Sequence, residues 1–291
     1  MRGVIAALVA LAALTAAVAT PARSATARHV TLIGDSVADA MTETDSAVAI
    51  LKQGIDLDLQ VAPCRRVEGE SCPIDGVRPP SAVELIQSLG SSIGDNVVVA
   101  VGYNDPEDQY AANVEDAVRA LTAAGVKHIW WLTLRAARHP YVTMNDDIEQ
   151  VAARHPQVSV IDWNLYSRSH PNWFQDDGLH LLNRGAAAMA TLIHKALVSA
   201  GVASAPARIT TKQLPVAHRG EAYRARLTAV AGVAPYRWAL LERAPAGIHL
   251  APNGMVTGRP GAKAGRYAFS VDVRDAFGSI TTRRLTLRIV A

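Results

Sequence analysis

Three short stretches hold residue types suited to acyl chemistry. Gly34-Asp35-Ser36 closes the run VTLI and opens an amphipathic segment. Gly102-Tyr103-Asn104-Asp105 follows the apolar run NVVVAV, and Asp177-Gly178-Leu179-His180 precedes a segment of helical spacing. A serine hydroxyl attacks a carbonyl only with a base in hydrogen-bond reach and a third group orienting that base. Asp177 lies three residues before His180, so one loop delivers both side chains. The carboxylate would hold one ring nitrogen and leave the other for Ser36. The Asn104 amide can donate to a developing oxyanion, and Gly102 lets the backbone come close. Ser36 also has a purely structural reading. With Asp39 three residues on, it approximates a capping box, and the helix it opens would point backbone N–H groups at negative charge. Asp105-Pro106 reads likewise as the cap and first residue of the next helix.

The other histidines of the region fit other roles. His128 opens a strand, His194 sits in a helix pattern, and His139, His155 and His170 each precede a proline, so they read as structural or solvated. Asp176, Asp177 and His180 lie close together, but no second His or Glu at ligand spacing joins them. Neither a metal nor a cofactor is expected.

The elements that must position these residues follow from periodicity. Strands are expected at 29–33, 55–61, 96–101, 127–134 and 158–162, and helices near 37–52, 81–90, 106–124, 143–154 and 184–200. NVVVAV is apolar without alternation, as in a strand covered on both faces. Strand–helix alternation implies right-handed βαβ units and a three-layer α/β/α domain with a parallel sheet. Functional residues in such sheets gather at the carboxyl ends of the strands, where all three stretches fall. After Gly201 the pattern changes to short runs such as EAYRARLTAV, YRWALLE and SITTRRLTLRIV, separated by turns including Asn253-Gly254. That spacing indicates a small all-β sandwich.

The chain has 291 residues, 49% of them apolar, and a formal charge of +3. No basic stripe with interleaved aromatics occurs; Arg65-Arg66 and Arg283-Arg284 read as isolated solvated pairs, so a nucleic-acid partner is not expected. Arg2 followed by an apolar run over 4–19 and by Ala25-Thr26-Ala27 fits an export signal cleaved near Ala27, leaving no membrane span in the mature chain. Cys64 and Cys72 are the two cysteines, and in an oxidising compartment they can close one small disulfide loop.

The blocks GDSVAD, GYND and DGLH, in this order, resemble those of the SGNH (GDSL-like) hydrolase family over residues 29 to 200. The resemblance implies a flavodoxin-like α/β/α fold with Ser36 as nucleophile, His180 as base, Asp177 as its orienting acid and Asn104 as an oxyanion donor. Gly34, Asp35 and Gly102 support them within the matching blocks. The family's second block supplies a glycine whose N–H completes the oxyanion hole. Here that place holds Cys64-Arg65-Arg66, with Gly69 several residues late, and the expected donor is the Arg65 N–H, directed by the Cys64–Cys72 loop. CRR…SC resembles a subgroup exported or fused to membrane acyltransferases. The segment LPVAHRGEAYRARLTAVAGVAPYRWAL…PAGIHLAPNGMVTGRPGAKAGRYAFSVDVRDAFG resembles a bacterial immunoglobulin-like domain, which implies a spacer or adhesive module.

The expected organisation is a signal peptide over 1–27, a hydrolase-like domain over 28–202, a linker over 203–208 and an Ig-like sandwich over 209–291. The expected activity is that of a secreted, cell-surface or periplasmic serine esterase acting on an O-acyl group of a small molecule, carbohydrate or lipid. The alternatives are an O-acyltransferase on a cell-wall or surface glycan, and a non-catalytic glycan binder. Glycan contact would come through the Ig-like part. Tyr103, Trp173 and Phe174 flank the motifs and either line the substrate site or serve as packing.

Overall fold

The computed structural model describes residues 27–136, 141–276 and 278–291. The expected signal peptide, apart from its last residue, and His139 lie outside the described residues. Five parallel strands, β1 (Arg28–Gly34), β2 (Ile55–Val61), β3 (Asn96–Ala100), β4 (His128–Leu132) and β5 (Val158–Ile161), form one sheet in the order β2-β1-β3-β4-β5. Helices α1 (Ser36–Asp39), α2 (Asp45–Leu51), α3 (Ala82–Leu89), α4 (Glu107–Ala123), α5 (Tyr141–Arg154), α6 (Trp163–Ser167) and α7 (Asn183–Ser199) complete the α/β/α arrangement.

Strand alternation sorts the side chains to the two faces of the sheet. Leu32 and Val98 pack with Ile193 and Leu197 of α7, whereas Ile33, Val97 and Val99 pack with Val114 and Leu121 of α4. All five residues of β3 are buried, as the unbroken apolar run requires. The Ser81 hydroxyl and the Glu84 carboxylate form a reciprocal capping box at the start of α3.

Two sequence expectations need correction. The single helix over 37–52 is broken into α1 and α2. The Thr42 and Thr44 hydroxyls donate to the carbonyls of Asp39 and Ala40 at 2.7 and 3.1 Å, bonds that compete with helix continuation. Helix α4 begins at Glu107 with Pro106 outside it, so Asp105 is not its cap. The Asp105 carboxylate instead accepts from the Val67 N–H.

Beyond α7 the chain forms strands β6 (Arg208–Ile209), β7 (Ala217–His218), β8 (Tyr223–Arg226), β9 (Ala229–Val230), β10 (Arg237–Leu240), β11 (Ile248–Leu250), β12 (Met255–Gly258), β13 (Gly265–Arg274) and β14 (Ile280–Val290). They form sheets of order β10-β13-β14-β7, β11-β12-β8 and β6-β9 around Trp238, Phe269, Val271, Leu285 and Leu287. Strand β6 begins inside the stretch expected as linker.

Candidate active site

The corner between β1 and α1 is tight for a local reason. A Cβ on Gly34 would lie 2.4 Å from the Ala38 Cβ and 2.9 Å from Val61 Cγ1. Glycine lets the chain turn here and present the next two residues at the carboxyl edge of the sheet.

The helix cap is Asp35, whose Oδ1 accepts from the Val37 N–H at 3.0 Å. Ser36 is the first helical residue, which corrects the reading of Ser36 as cap. The Ser36 hydroxyl is thereby left for another partner. Helix α1 spans four residues, too few for a substantial macrodipole, although its first N–H groups remain outside the intrahelical ladder.

Asp35 does more than cap. It is fully buried, and its Oδ2 accepts from the N–H groups of Gly102 and Tyr103 at 3.1 and 3.2 Å. Burial raises its carboxyl from the ordinary 3.8 to about 6, against the opposing pull of the three N–H groups. The Asp105 carboxyl is also raised to about 6 by burial, although it accepts from the Val67 N–H and from Asn113. Gly102 has φ +154°, and a Cβ there would lie 2.4 Å from the Tyr110 hydroxyl oxygen. The GYND turn therefore needs glycine at its first position.

The loop before α7 is pinned at several points. Phe174 bridges to Leu181, the Gln175 N–H donates to the His180 carbonyl at 2.8 Å, and the Leu182 N–H donates to the Trp173 carbonyl at 2.8 Å. Asp177 Oδ1 accepts from the N–H groups of Leu179 and His180 at 2.9 and 3.0 Å, which directs Oδ2 to His180 Nδ1 at 2.5 Å. His180 Nε2 in turn lies 3.0 Å from Ser36 Oγ, across 144 residues of sequence. Partial burial pushes the Asp177 carboxyl up, but the His180 ring and the two N–H donors outweigh it and hold the group down at about 2. Asp177 therefore stays ionised at neutral pH and favours the tautomer with the proton on Nδ1, leaving Nε2 to accept from Ser36.

Asn104 Nδ2 donates to the Arg65 carbonyl at 3.1 Å, which aims the amide and leaves it a second hydrogen. The Arg65 N–H closes a turn on the Ala62 carbonyl at 3.4 Å, and the Arg65 guanidinium, expected as part of a solvated pair, is instead buried and donates to the carbonyls of Pro80 and Gln60. Cys64 and Cys72 are joined in a disulfide. Cys64 has φ +64°, a left-handed conformation that glycine adopts without cost. The backbone geometry a glycine would supply is thus present in the second block, carried by a cross-linked cysteine.

Other residues singled out by sequence are engaged by other partners. His194 bonds to the Gln53 carbonyl, His155 to Glu115, and His170 stacks on Trp173 at 3.9 Å. Phe174 is buried and Trp173 is held between His170 and Trp163, so both act as packing beneath the His180 loop. Tyr103 is a hub: its hydroxyl oxygen accepts from the Arg135 N–H at 2.6 Å, and burial pushes its phenol far up. Arg135, which sequence reasoning missed, lies with its guanidinium 3.8 Å over the Phe174 ring. Its signal was only a position just past a buried strand. Among the described residues no cluster of three or more metal-ligating side chains occurs.

Comparison with known proteins adds independent findings. Residues 205–290 match the family model described as "Putative Ig domain". The chain is 28% identical over 162 residues to "Putative peptidoglycan O-acetyltransferase YrhL" of Bacillus subtilis, a match over 53% of this chain and 24% of that protein. It is 30% identical over 104 residues to the O-acetyltransferase OatA of Staphylococcus aureus, over 36% of this chain and 16% of the relative. The chain thus spans about a quarter or less of the length of these relatives. Among solved structures it is similar to the psychrotrophic esterase EstA from Pseudoalteromonas sp. (TM-score 0.47, 14% identity, 59% of this chain and 97% of that one). It is also similar to a Clostridium thermocellum family 3 carbohydrate esterase (TM-score 0.43, 15% identity, 60% and 97%). Residues 205–290 thus match an Ig-like family model, and the α/β/α segment before them carries the blocks GDSVAD, GYND and DGLH in that order.

Proposed function

We propose that the α/β/α segment attacks an ester carbonyl with Ser36 Oγ and hydrolyses it through an acyl-enzyme. The observation that carries this reading is the continuous contact from Asp177 Oδ2 through the His180 ring to Ser36 Oγ, at 2.5 and 3.0 Å. His180 Nε2 takes the hydroxyl proton as the Oγ–carbonyl bond forms. The oxyanion is met by the Ser36 N–H and by the second hydrogen of the Asn104 amide, with the Arg65 N–H as third candidate once its long turn bond yields. His180 then protonates the departing alcohol, and water attacks the acyl-enzyme with His180 again as base. The domain limits 28–202 and 209–291, export through residues 1–27 and a glycan or lipid ester as substrate belong to the same reading.

The similarity to O-acetyltransferases favours a second reading, in which a glycan hydroxyl replaces water in the last step. Both use the same acyl-enzyme, so product analysis separates them: acetate alone for hydrolysis, an O-acetylated glycan for transfer.

The test of the shared mechanism is Ser36→Ala, assayed on activated acetate and longer acyl esters. Turnover should vanish while stability stays within about 1 kcal/mol of wild type, because Asp35 is the cap. Substantial turnover in the variant, or a wild type inert to every short-chain ester, refutes the proposal.

A further inference from the structure

The near-neutral total charge conceals two oppositely charged segments. Residues 205–291 carry fourteen Lys and Arg against four Asp and Glu, whereas residues 27–204 carry thirteen against twenty-two. Strand register decides where the positive charge goes. In β13 and β14 the inward positions are Phe269, Val271, Val273, Leu285, Leu287 and Ile289, so the alternate positions face outward. Five of the outward positions on the β10-β13-β14 face are exposed arginines: Arg237, Arg266, Arg274, Arg284 and Arg288.

Two of these pairs are directly opposed across strands, Arg237 with Arg274 and Arg266 with Arg288. Like charges directly opposite each other destabilise a sheet. Among the described residues none of the five arginines forms an ion pair. Two carboxylates serve this face, and both are bonded to hydroxyls: Asp272 by Thr282 at 2.6 Å and Glu242 by Ser270 at 2.9 Å. The arrangement lowers the stability of the sheet on its own and becomes favourable when repeating negative charge lies along it.

We propose that this face binds an acidic polysaccharide whose sugar units carry carboxylates. Guanidinium forks match planar carboxylates in bidentate geometry. Arg284 and Arg288 stand about 13 Å apart along one strand, and Arg266 and Arg274 about 26 Å apart along its neighbour, a spacing that engages an extended chain and not a single small anion. Between them lie Ala239, Ala268, Ser270, Asp272, Thr282 and Thr286; apart from Asp272, whose carboxylate is engaged by Thr282, these are small or hydroxyl-bearing residues that can bond to sugar hydroxyls. No aromatic stands at these outward positions to stack bases, and no helix or protruding ribbon is available for a duplex groove. Leu241 and Ile280 are the exposed large apolar residues on these rows, too few for insertion into a lipid surface. The site is independent of the ester chemistry at Ser36.

The test uses the full chain and polygalacturonate as probe. Dextran, polyphosphate, single-stranded DNA and phosphatidylglycerol vesicles serve as comparisons, all at roughly 150 mM salt. Polygalacturonate should bind most tightly and dextran not at all. Arg266→Gln/Arg284→Gln/Arg288→Gln should weaken binding by at least about tenfold and lower the salt slope by roughly two to three. Arg208→Gln/Arg224→Gln/Arg226→Gln, an equal loss of charge outside this face, should change binding by less than about threefold. The thermal midpoint of the first variant should stay level or rise, since an Arg–Arg opposition is removed. If it falls, Arg266→Lys/Arg284→Lys/Arg288→Lys decides instead: it keeps the charge but loses the fork, and should bind more weakly than wild type. Equal losses in the two Gln variants overturn the proposal. So do wild-type affinity in the Lys variant, preference for polyphosphate, DNA or vesicles, and absence of polygalacturonate binding.

Discussion

The buried carboxyl of Asp35 ties stability to pH in a direction opposite to that of most surface acids. Its raised value of about 6, against 3.8 for an exposed aspartate, means that the folded chain holds this proton more tightly than the unfolded one. The contribution to stability is fully present below about pH 4 and is lost as pH rises through about 6. A shift of about two pH units corresponds to about 3 kcal/mol, with a slope of at most about 1.4 kcal/mol per unit inside that window. Asp105 has the same sign and window, and the two carboxyls sense each other, so their proton losses are shared. Asp177 acts oppositely: held near 2, it contributes stability above about pH 4 that disappears as pH falls towards 2. Urea unfolding followed from about pH 4 to about pH 8 should show stability falling through the lower half of that range. In Asp35→Asn this slope should flatten by up to about 1 kcal/mol per unit. The substitution also turns an amide NH2 towards one of the three N–H donors, an offset of about 1–3 kcal/mol that is the same at every pH and leaves the slope readable. A variant that keeps the full wild-type slope refutes the assignment of the buried proton to Asp35.

The remaining predictions concern the neighbours of Ser36. Asp177→Asn presents a donor to His180 Nδ1 and selects the wrong tautomer, so turnover of an activated ester should fall about 10³- to 10⁴-fold with little change in melting temperature; retention of a tenth of the activity would exclude the role. Gly102→Ala forces a Cβ against Tyr110 at a positive φ and should destabilise by about 2–4 kcal/mol. Adding Tyr110→Phe should restore part of that loss in a double-mutant cycle, and strict additivity would show that the clash is relieved elsewhere. Cys64→Ser/Cys72→Ser should lower stability by about 2–3 kcal/mol. It should also reduce kcat more than it raises KM, because the Arg65 carbonyl that aims Asn104 lies in the loop released; steady-state kinetics with the acetate ester decides this.

The central strands and long helices were legible because burial imposes a pattern on them. β3 is apolar at every position, and α7 repeats Ala, Met, Ile and Leu at helical spacing. The break between α1 and α2 was not, since Thr42 and Thr44 suit a helix surface until their hydroxyls capture backbone carbonyls. Ser36, Asp177 and His180 could be singled out because the chemistry restricts residue type and order. Which of Asp35 and Ser36 caps the helix could not be read, as adjacent residues can both do it and the choice depends on where Gly102 and Tyr103 place their N–H groups. The arginine face was hidden for a similar reason. Its members are scattered from 237 to 288 and converge only through strand register.

The triple bond acceptance by Asp35 makes two distant blocks a single transplantable part. GDSVAD and GYND meet at one carboxylate, so neither loop can be exchanged for that of another scaffold without the other. A chimera carrying only the serine block would keep Ser36 yet leave the buried Asp35 carboxylate without its Gly102 and Tyr103 N–H donors, and the Asn104 side would drift first. Recombination that respects this boundary must cut before Gly34 and after Asn104, with everything between travelling as one cassette.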